Sequence, residues 1–530
     1  MSQTESGKAA PAGAVPLHQL VVHLHPSDNV AIAKVPLQPG TVLVWENAPF
    51  KAMPIRVQQP VLPGHKVSLE AIEEGQPVIR YGHLIGLALK EIQPGQHVHT
   101  HNLGIGATTR EYAQSKGSPP VAHLPEEQCH TFLGYRRADG RVATRNYIAV
   151  ISTVNCSAHA CLEIAHHFTP ERLAPYPNVD GVIALTFRGG CTMRPDGETY
   201  TTLQRTLAGM ARHSNVGGTL LVGLGCETNQ ASALIQNYGL GGPSTSPVSV
   251  LSIQESGGTG PTIEAGIAAV RELLPRVDDV ARTPQPISGI TLALQCGGSD
   301  GWSGVTANPV VGLVADDLIR QGGTVVLAET PEIYGAEHLL TARAVNPDVV
   351  HELAEQVRWW EAHVECIGTQ LDNNPSYGNK AGGLTTIYEK ALGAVAKGGS
   401  TPLRAVVGYA EPVVESGLVF MNTPGFDPVA VTGQVAGGCN LVLFTTGCGS
   451  AFGFKPAPSI KVSSNTALAR NMPGDIDFDA GRVLSGARME QMAGELLDLV
   501  ISVASGRPSK SEAQGIGEAE FSPWHLGELL

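Results

Sequence analysis

The chain has 530 residues, 42% of them hydrophobic and 5% aromatic, with 62 glycines and 37 prolines, which suits two to four domains with large cores and many tight loops. Acidic residues outnumber basic ones 48 to 35; the resulting charge of −13, with no basic cluster, argues against a nucleic-acid partner. No apolar run reaches membrane-spanning length, and nine cysteines without a CxxC pair form no disulfide framework, so reduced thiols in a cytoplasmic protein are expected.

Residues 1–17 lack the apolar core of a signal peptide and are expected to be a disordered tail. Over 18–103, short alternating runs (LVVHL, AIAKV, TVLVW, HKVSL, PVIRY, LIGLAL) are separated by Pro-Gly turns at 39–40, 63–64 and 94–95, which predicts a small all-β module. It ends in HVHTHN, where strand alternation puts His97, His99 and His101 on one side. Three imidazoles so placed suit a metal or a sugar acid, whereas a single one would be ordinary on a solvated edge. Residues 104–131 lose periodicity and read as a linker.

From 132 onward, apolar strands alternate with helical patterns. The strands are expected at 147–154, 181–187, 219–224, 290–295, 324–329, 418–423 and 440–446, and the helices at 308–323, 347–366, 382–399 and 488–506. This order implies parallel, Rossmann-like sheets buried on both faces. ARTPQPISG, 281–289, divides the region into an α/β part at 132–285, a candidate for dimerisation, and a catalytic α/β part at 286–530.

Five thiols fall at or just beyond strand ends: Cys156 in VNC, Cys191 in FRGGC, Cys226 in GLGCE, Cys296 in LQCGG and Cys448 in TTGCG. Open parallel sheets bind ligands beyond those ends, and soft thiolates favour iron or zinc, but small cysteines are also tolerated in turns and the spacing matches no zinc ribbon. QCGGSDG, 295–301, lacks the lysine and spacing of a phosphate loop, and no histidine lies near Ser299 or Cys296 in sequence to activate a nucleophile. Asn308 can cap the helix that follows it. DNNPSYGNKAGG, 372–383, places Asn379 and Lys380 near a helix start, where an anion would be welcome.

The stretches GYRRADGRVATRN, QCGGSDGWSGVTANP, ETPEIYGAEHLLTARAV, DNNPSYGNKAGGLTTIYEKALGAVAKGG, YAEPV and FMNTPGFDPVAVTGQVAGG resemble the altronate/galactarate dehydratase family over roughly 18–525. Residues 18–103 resemble the SAF (β-clip) domain of that family. WWEAH, HVHTHN and GRPSKSEAQGIGEAEF are more similar to the altronate branch, while Cys448 stands where the family pattern has arginine. The resemblance implies a homodimeric hydro-lyase that turns D-altronate into 2-dehydro-3-deoxy-D-gluconate and water with Fe(2+), Mn(2+) or another divalent ion, or an iron–sulfur cluster. Galactarate or another aldonate or aldarate is the alternative substrate, and a non-catalytic sugar-acid-binding protein is the alternative of another class. Asp300, Glu329 and Lys380 are the candidate catalytic groups. Ser299, Asn308, Asn379, His97, His99 and His101 are candidates for substrate, and Cys156, Cys191, Cys226 and Cys296 for metal.

Overall fold

A computed structural model describes residues 14–45, 53–106, 118–242 and 246–526. The N-terminal module is built from short sheets. In one of them β1 (Val30–Ala33) and β2 (Lys66–Ser68) pair antiparallel, and β2 pairs in turn with β4 (His97–Val98); in another, β3 (His83–Ala88) pairs with Pro77–Arg80. The Pro-Gly turns hold because glycine supplies the positive φ that such turns need. Gly95, at φ 83°, also packs so closely that a Cβ would lie 2.0 Å from the Arg56 carbonyl oxygen. Residues 1–13 of the expected tail lie outside the described residues. Ala14–Pro16, however, pairs with Val42–Val44, because the following Leu17 is buried in the module's core. Of the expected linker, 107–117 lies outside the described residues.

The second domain is a parallel sheet in the order β6-β5-β7-β8, comprising β5 (Tyr147–Ser152), β6 (Gly181–Leu185), β7 (Val216–Gly223) and β8 (Val248–Ser252). Helices α1 (Ala158–His167), α2 (Glu198–Ala211) and α3 (Thr259–Asp278) cover its faces. Strand Thr131–Arg136 on the way in pairs antiparallel with Thr283–Pro286 on the way out.

The third domain is a seven-stranded parallel sheet ordered β11-β12-β10-β9-β13-β14-β15. Its strands are β9 (Thr291–Cys296), β10 (Thr324–Leu327), β11 (Leu403–Val407), β12 (Gly417–Met421), β13 (Leu441–Thr446), β14 (Ser459–Ser463) and β15 (Phe478–Asp479). The helices used below are α4 (Ala307–Arg320), α5 (Pro347–Cys366), α6 (Tyr377–Ala381), α7 (Ile387–Val395), α8 (Asp427–Ala436) and α9 (Met489–Ala504). The first strand, β9, lies in the middle, with β10 on one side and β13 on the other. That is a topological switch point, where α/β sheets open a crevice beyond their carboxyl ends.

Helix α7 begins at Ile387, five residues later than the periodicity suggests. Gly383 sits at φ 102°, and Thr386 caps the helix by accepting from the Glu389 amide. The strands β8, β11, β14 and β15 escape the apolar pattern. Three of them, β8, β11 and β15, are sheet edges, β11 being half-exposed over most of its length, and β14 buries a lysine whose ammonium donates to the Phe452 carbonyl at 2.9 Å.

The domains share cores. Val30, Val78, Ile85 and Val98 of the module pack into the cluster of Ala391, Leu392 and Val395 on α7, while Leu203 and Leu207 of α2 pack with Val431 and Val435 of α8. Among the described residues no helix is long and apolar enough to cross a membrane.

Candidate active site

The switch point carries a buried polar cluster. Cys296, the last residue of β9, is 2% exposed. Glu329, two residues beyond β10, sits at φ 71°, a region that stores strain in any residue but glycine. Its amide donates to Thr423 Oγ1 at 2.9 Å, and its carbonyl accepts from the Glu332 amide at 2.7 Å, which fixes the turn that carries Glu332. The Cys296 thiol donates to Glu332 Oε2 at 3.2 Å and lies 3.7 Å from Glu329 Oε2. From α7, Lys390 Nζ reaches Glu332 Oε1 at 2.6 Å and Asn374 Oδ1 at 2.8 Å, while Asn374 Nδ2 donates to the same Glu332 oxygen at 2.9 Å. Lys397 Nζ stands 3.9 Å from Glu329 Oε2. Asp427, at the start of α8, accepts from Gln295 Nε2 at 3.1 Å. Glu329 Oε1 is buried without a hydrogen-bond partner.

This environment separates the acids. Burial, with the charge of Glu332 behind it, holds Glu329 well above the ordinary carboxyl range. Glu332 is equally buried, yet Lys390 and Lys397 hold it below that range. Burial pushes Asp427 up to about 6, with Gln295 pulling the other way and Glu332 adding to the rise. Burial, reinforced by Glu332, raises the Cys296 thiol. Lys390 stays cationic against its burial because Glu332 pairs with it.

Cys296, Glu329 and Glu332 form a group whose donor atoms all lie within 4.8 Å, and their mixed sulfur and oxygen character suits iron. Their charge does not. Lys390 and Lys397 occupy the same space, and Glu332 is already filled by three donors. With Glu329 protonated and the thiol neutral, the two remaining carboxylates balance the two ammonium groups. A divalent ion would have to displace the protons of Glu329 and Cys296 and enter beside two ammonium groups, so these residues do not fit a resident metal.

The N-terminal module roofs this region. Gly64, Gly301 and Gly383 meet backbone to backbone, so that a Cβ on Gly301 would lie 2.1 Å from the Gly64 carbonyl oxygen. Lys66 Nζ donates to the Gly383 carbonyl at 2.7 Å and to Glu389 Oε2 at 2.9 Å. Arg80 binds Glu389 and also the Gly301 carbonyl at 2.7 Å. Lys66 and Arg80 hold Glu389 down to about 2 despite its burial, while burial lowers Lys66 to about 8.

Of the residues singled out in the sequence, the three histidines do converge, and His65 joins them. His65 Nε2 donates to the Ala381 carbonyl at 3.1 Å, His99 Nε2 to the Lys380 carbonyl at 2.8 Å, and His97 Nε2 to His65 Nδ1 at 3.0 Å. Burial first, and mutual repulsion second, lowers His97 to about 3. Burial lowers His99 to about 4, so both rings are neutral. The HVHTHN and PSYGNKAGG stretches are therefore one contact. Asp300 accepts five hydrogen bonds, from the Trp302 and Ser303 amides, the Ser303 and Ser464 hydroxyls and Asn465. Asn308 joins the Gly393 carbonyl to Thr445, and Asn379 joins the Ser299 carbonyl to the cap of α6. Ser299 is buried, Lys380 is half-buried, and Cys448 is exposed beside the Gly378 carbonyl. Cys296 does not share a sheet with Cys156, Cys191 and Cys226, which lie on the second domain.

Glu332, Lys390, Lys397, Asp427, Asn374 and His65 were not among the expected site residues. The signal was present in IYEKALGAV: a charged pair inside an otherwise apolar helix marks a buried ion site.

Comparison with known proteins agrees with this architecture. Residues 19–105 match the altronate/galactarate dehydratase SAF domain, 134–278 the second domain of D-galactarate dehydratase/altronate hydrolase, and 287–529 the C-terminal domain of D-galactarate/altronate dehydratase. The chain is 34% identical to altronate dehydratase of Escherichia coli over 94% of its own length and 97% of that protein's. It is also 34% identical to altronate dehydratase of Bacillus subtilis over 92% and 95%. Galactarate dehydratase (L-threo-forming) of Escherichia coli is 33% identical over 84% and 86%. With each of its three domains matched and this identity spanning nearly the whole length, the chain belongs to the D-galactarate/altronate dehydratase family.

Proposed function

We propose that the chain is a hydro-lyase that converts D-altronate into 2-dehydro-3-deoxy-D-gluconate and water. The observation that carries this reading is the Glu329–Asp427 pair: two buried carboxyls set to different protonation states beside two ammonium groups. An elimination next to a carboxylate needs a base, an acid and a positive field, since removing the C2 proton leaves a dianionic enediolate. Asp427, ionised near neutrality, takes that proton. Lys390 and Lys397 face the developing charge. Glu329, still protonated, gives its proton to the departing C3 hydroxyl, which leaves as water, and the enol ketonises by taking a proton at C3.

Asp300 and Asn379 position the loops of this site, and the histidines fix α6 so that Lys380 can meet the hydroxyls or the carboxylate of the sugar acid. The module closes over these loops and keeps water out. The test is product formation over a panel of sugar acids, with altronate and galactarate side by side. Altronate is expected to be consumed with release of the 2-keto-3-deoxy acid. Preference for galactarate would replace the substrate, and turnover of no sugar acid would overturn the reading.

A further inference from the structure

The stretch GYRRADGRVATRN stands apart from the acid–base cluster. Two of its arginines are structural: Arg145 pairs with Glu512 at 2.7 Å, and Arg137 Nε donates to the Ser214 carbonyl at 2.7 Å. The other two, Arg136 and Arg141, are exposed and line a crevice between the second and third domains.

The crevice has two compartments. One, of about 410 Å³, is lined by Arg141, Arg205, Arg212 and Tyr238. The other, of about 520 Å³, is lined by Arg136, Arg141, Ser214, Ser288 and Thr291. Arg141, Pro412, Gly437 and Gly438 belong to both, so the compartments are continuous. Each has the size of a small-molecule site. Gly438, at φ 119°, has open space where a Cβ would stand.

This crevice lies at the end of the sheet away from the acid–base cluster. Thr291, on its wall, begins β9, and Cys296 ends that strand. Five residue steps of strand, about 17 Å, separate them. Helices α2 and α8 both finish at the crevice. Arg212 follows the last residue of α2, and a Cβ on Gly209 would lie 2.2 Å from the carbonyl oxygen of Ala436, which ends α8. Asp427 is at the other end of α8, about 14 Å away along the helix axis.

The charge in the crevice is not balanced. Asp139 accepts from Arg141 at 2.8 Å, and Glu411 accepts from Arg205 at 3.1 Å. Among the described residues no carboxylate pairs with Arg136 or Arg212. Arg205 Nε is buried without a hydrogen-bond partner, a vacancy that native proteins rarely leave. Arg212 Nη1 donates to the Tyr238 carbonyl at 3.2 Å, and its guanidinium stands 5.8 Å from the Tyr238 ring, which orients it. Burial first, and the charge of Arg141 second, hold Arg212 below the ordinary guanidinium range. Folding gains nothing from bringing such cations together. An anion between them removes the repulsion and fills their free N–H groups with charge-assisted hydrogen bonds.

We propose that this crevice is a second anion site, which takes a sugar acid carrying a second anionic group, a phosphate or a carboxylate, at its far end. Arg205 and Arg212 meet one charged end and Arg136 the other, with Arg141 between them. Ser214, Ser288 and Thr291 line the half that receives the hydroxyls. The site is separate from the one that turns over substrate.

The test is isothermal titration of the full chain with gluconate 6-phosphate and, in a second arm, with galactarate; whichever binds more tightly names the second anionic group. Binding is expected to weaken at least about tenfold in each of Arg136→Gln, Arg141→Gln and Arg212→Gln, the scale of a lost hydrogen bond between charged groups. These variants should keep the wild-type circular dichroism and the wild-type turnover of altronate. Asp427→Asn and Glu329→Gln should bind the tighter probe as the wild type does. Three results would each overturn the proposal: no binding of either probe, equal affinity in the Arg141→Gln, Arg212→Gln double variant, or loss of binding in Asp427→Asn. Inorganic phosphate binding as tightly as gluconate 6-phosphate would overturn the two-ended ligand.

Discussion

The pH dependence of turnover tests the assignment of Asp427. Burial pushes its carboxyl up to about 6, and Gln295 Nε2, donating at 3.1 Å, favours the ionised form against that burial. A base must be ionised, so kcat/KM should rise with pH through about 6 and flatten above about 7. At pH 5 about one tenth of the enzyme carries the base, a rate about tenfold below the plateau. An ordinary aspartate near 3.9 would lose less than about a tenth of its activity there. Gln295→Leu removes a hydrogen bond to a charged group, worth about 1.5–3 kcal/mol, and should carry the acid limb up by about one to two pH units. Steady-state rates on altronate between pH 4.5 and 8 measure both effects. An acid limb near 4, or an Asp427→Asn variant with the wild-type rate, refutes the reasoning.

Glu329→Gln should fold normally and lose about two to four orders of magnitude in kcat, the scale of a lost general acid, and a wild-type kcat would remove Glu329 from the chemistry. Glu389→Ala leaves Lys66 and Arg80 buried without their carboxylate and should cost about 3–5 kcal/mol, read by urea unfolding; an unchanged midpoint would show that the module docks without this triad. Asp300→Asn sets an amide against the Asn465 amide and should cost about 1–3 kcal/mol of stability. Full stability with abolished turnover would make Asp300 catalytic instead of positioning.

The sequence exposed the fold wherever apolar strands ran continuously, as in β5, β9 and β13, because strands buried on both faces are apolar along most of their length and turn polar only near their ends. It hid β14, whose lysine finds its partner only in the folded chain. Site residues followed the same division. Glu329 was legible because it closes the apolar run TVVLAE, 324–329. Asp427, Lys390 and Lys397 come from helices that reach the cluster only after the sheet is wound, and no local pattern records that approach. The histidines at 97, 99 and 101 were visible as a set, but the contact of His99 with Lys380 spans 281 residues of chain, beyond any sequence period.

The paired strands Thr131–Arg136 and Thr283–Pro286 bring the entry and exit of the second domain side by side, with Gly134 opposite Thr283. A two-residue hairpin can close that gap. The whole of 135–282 is thus an insertion between two paired strands: a tight turn in its place keeps the strand connectivity of the third domain but uncovers the face of α8 on which Leu203 and Leu207 pack.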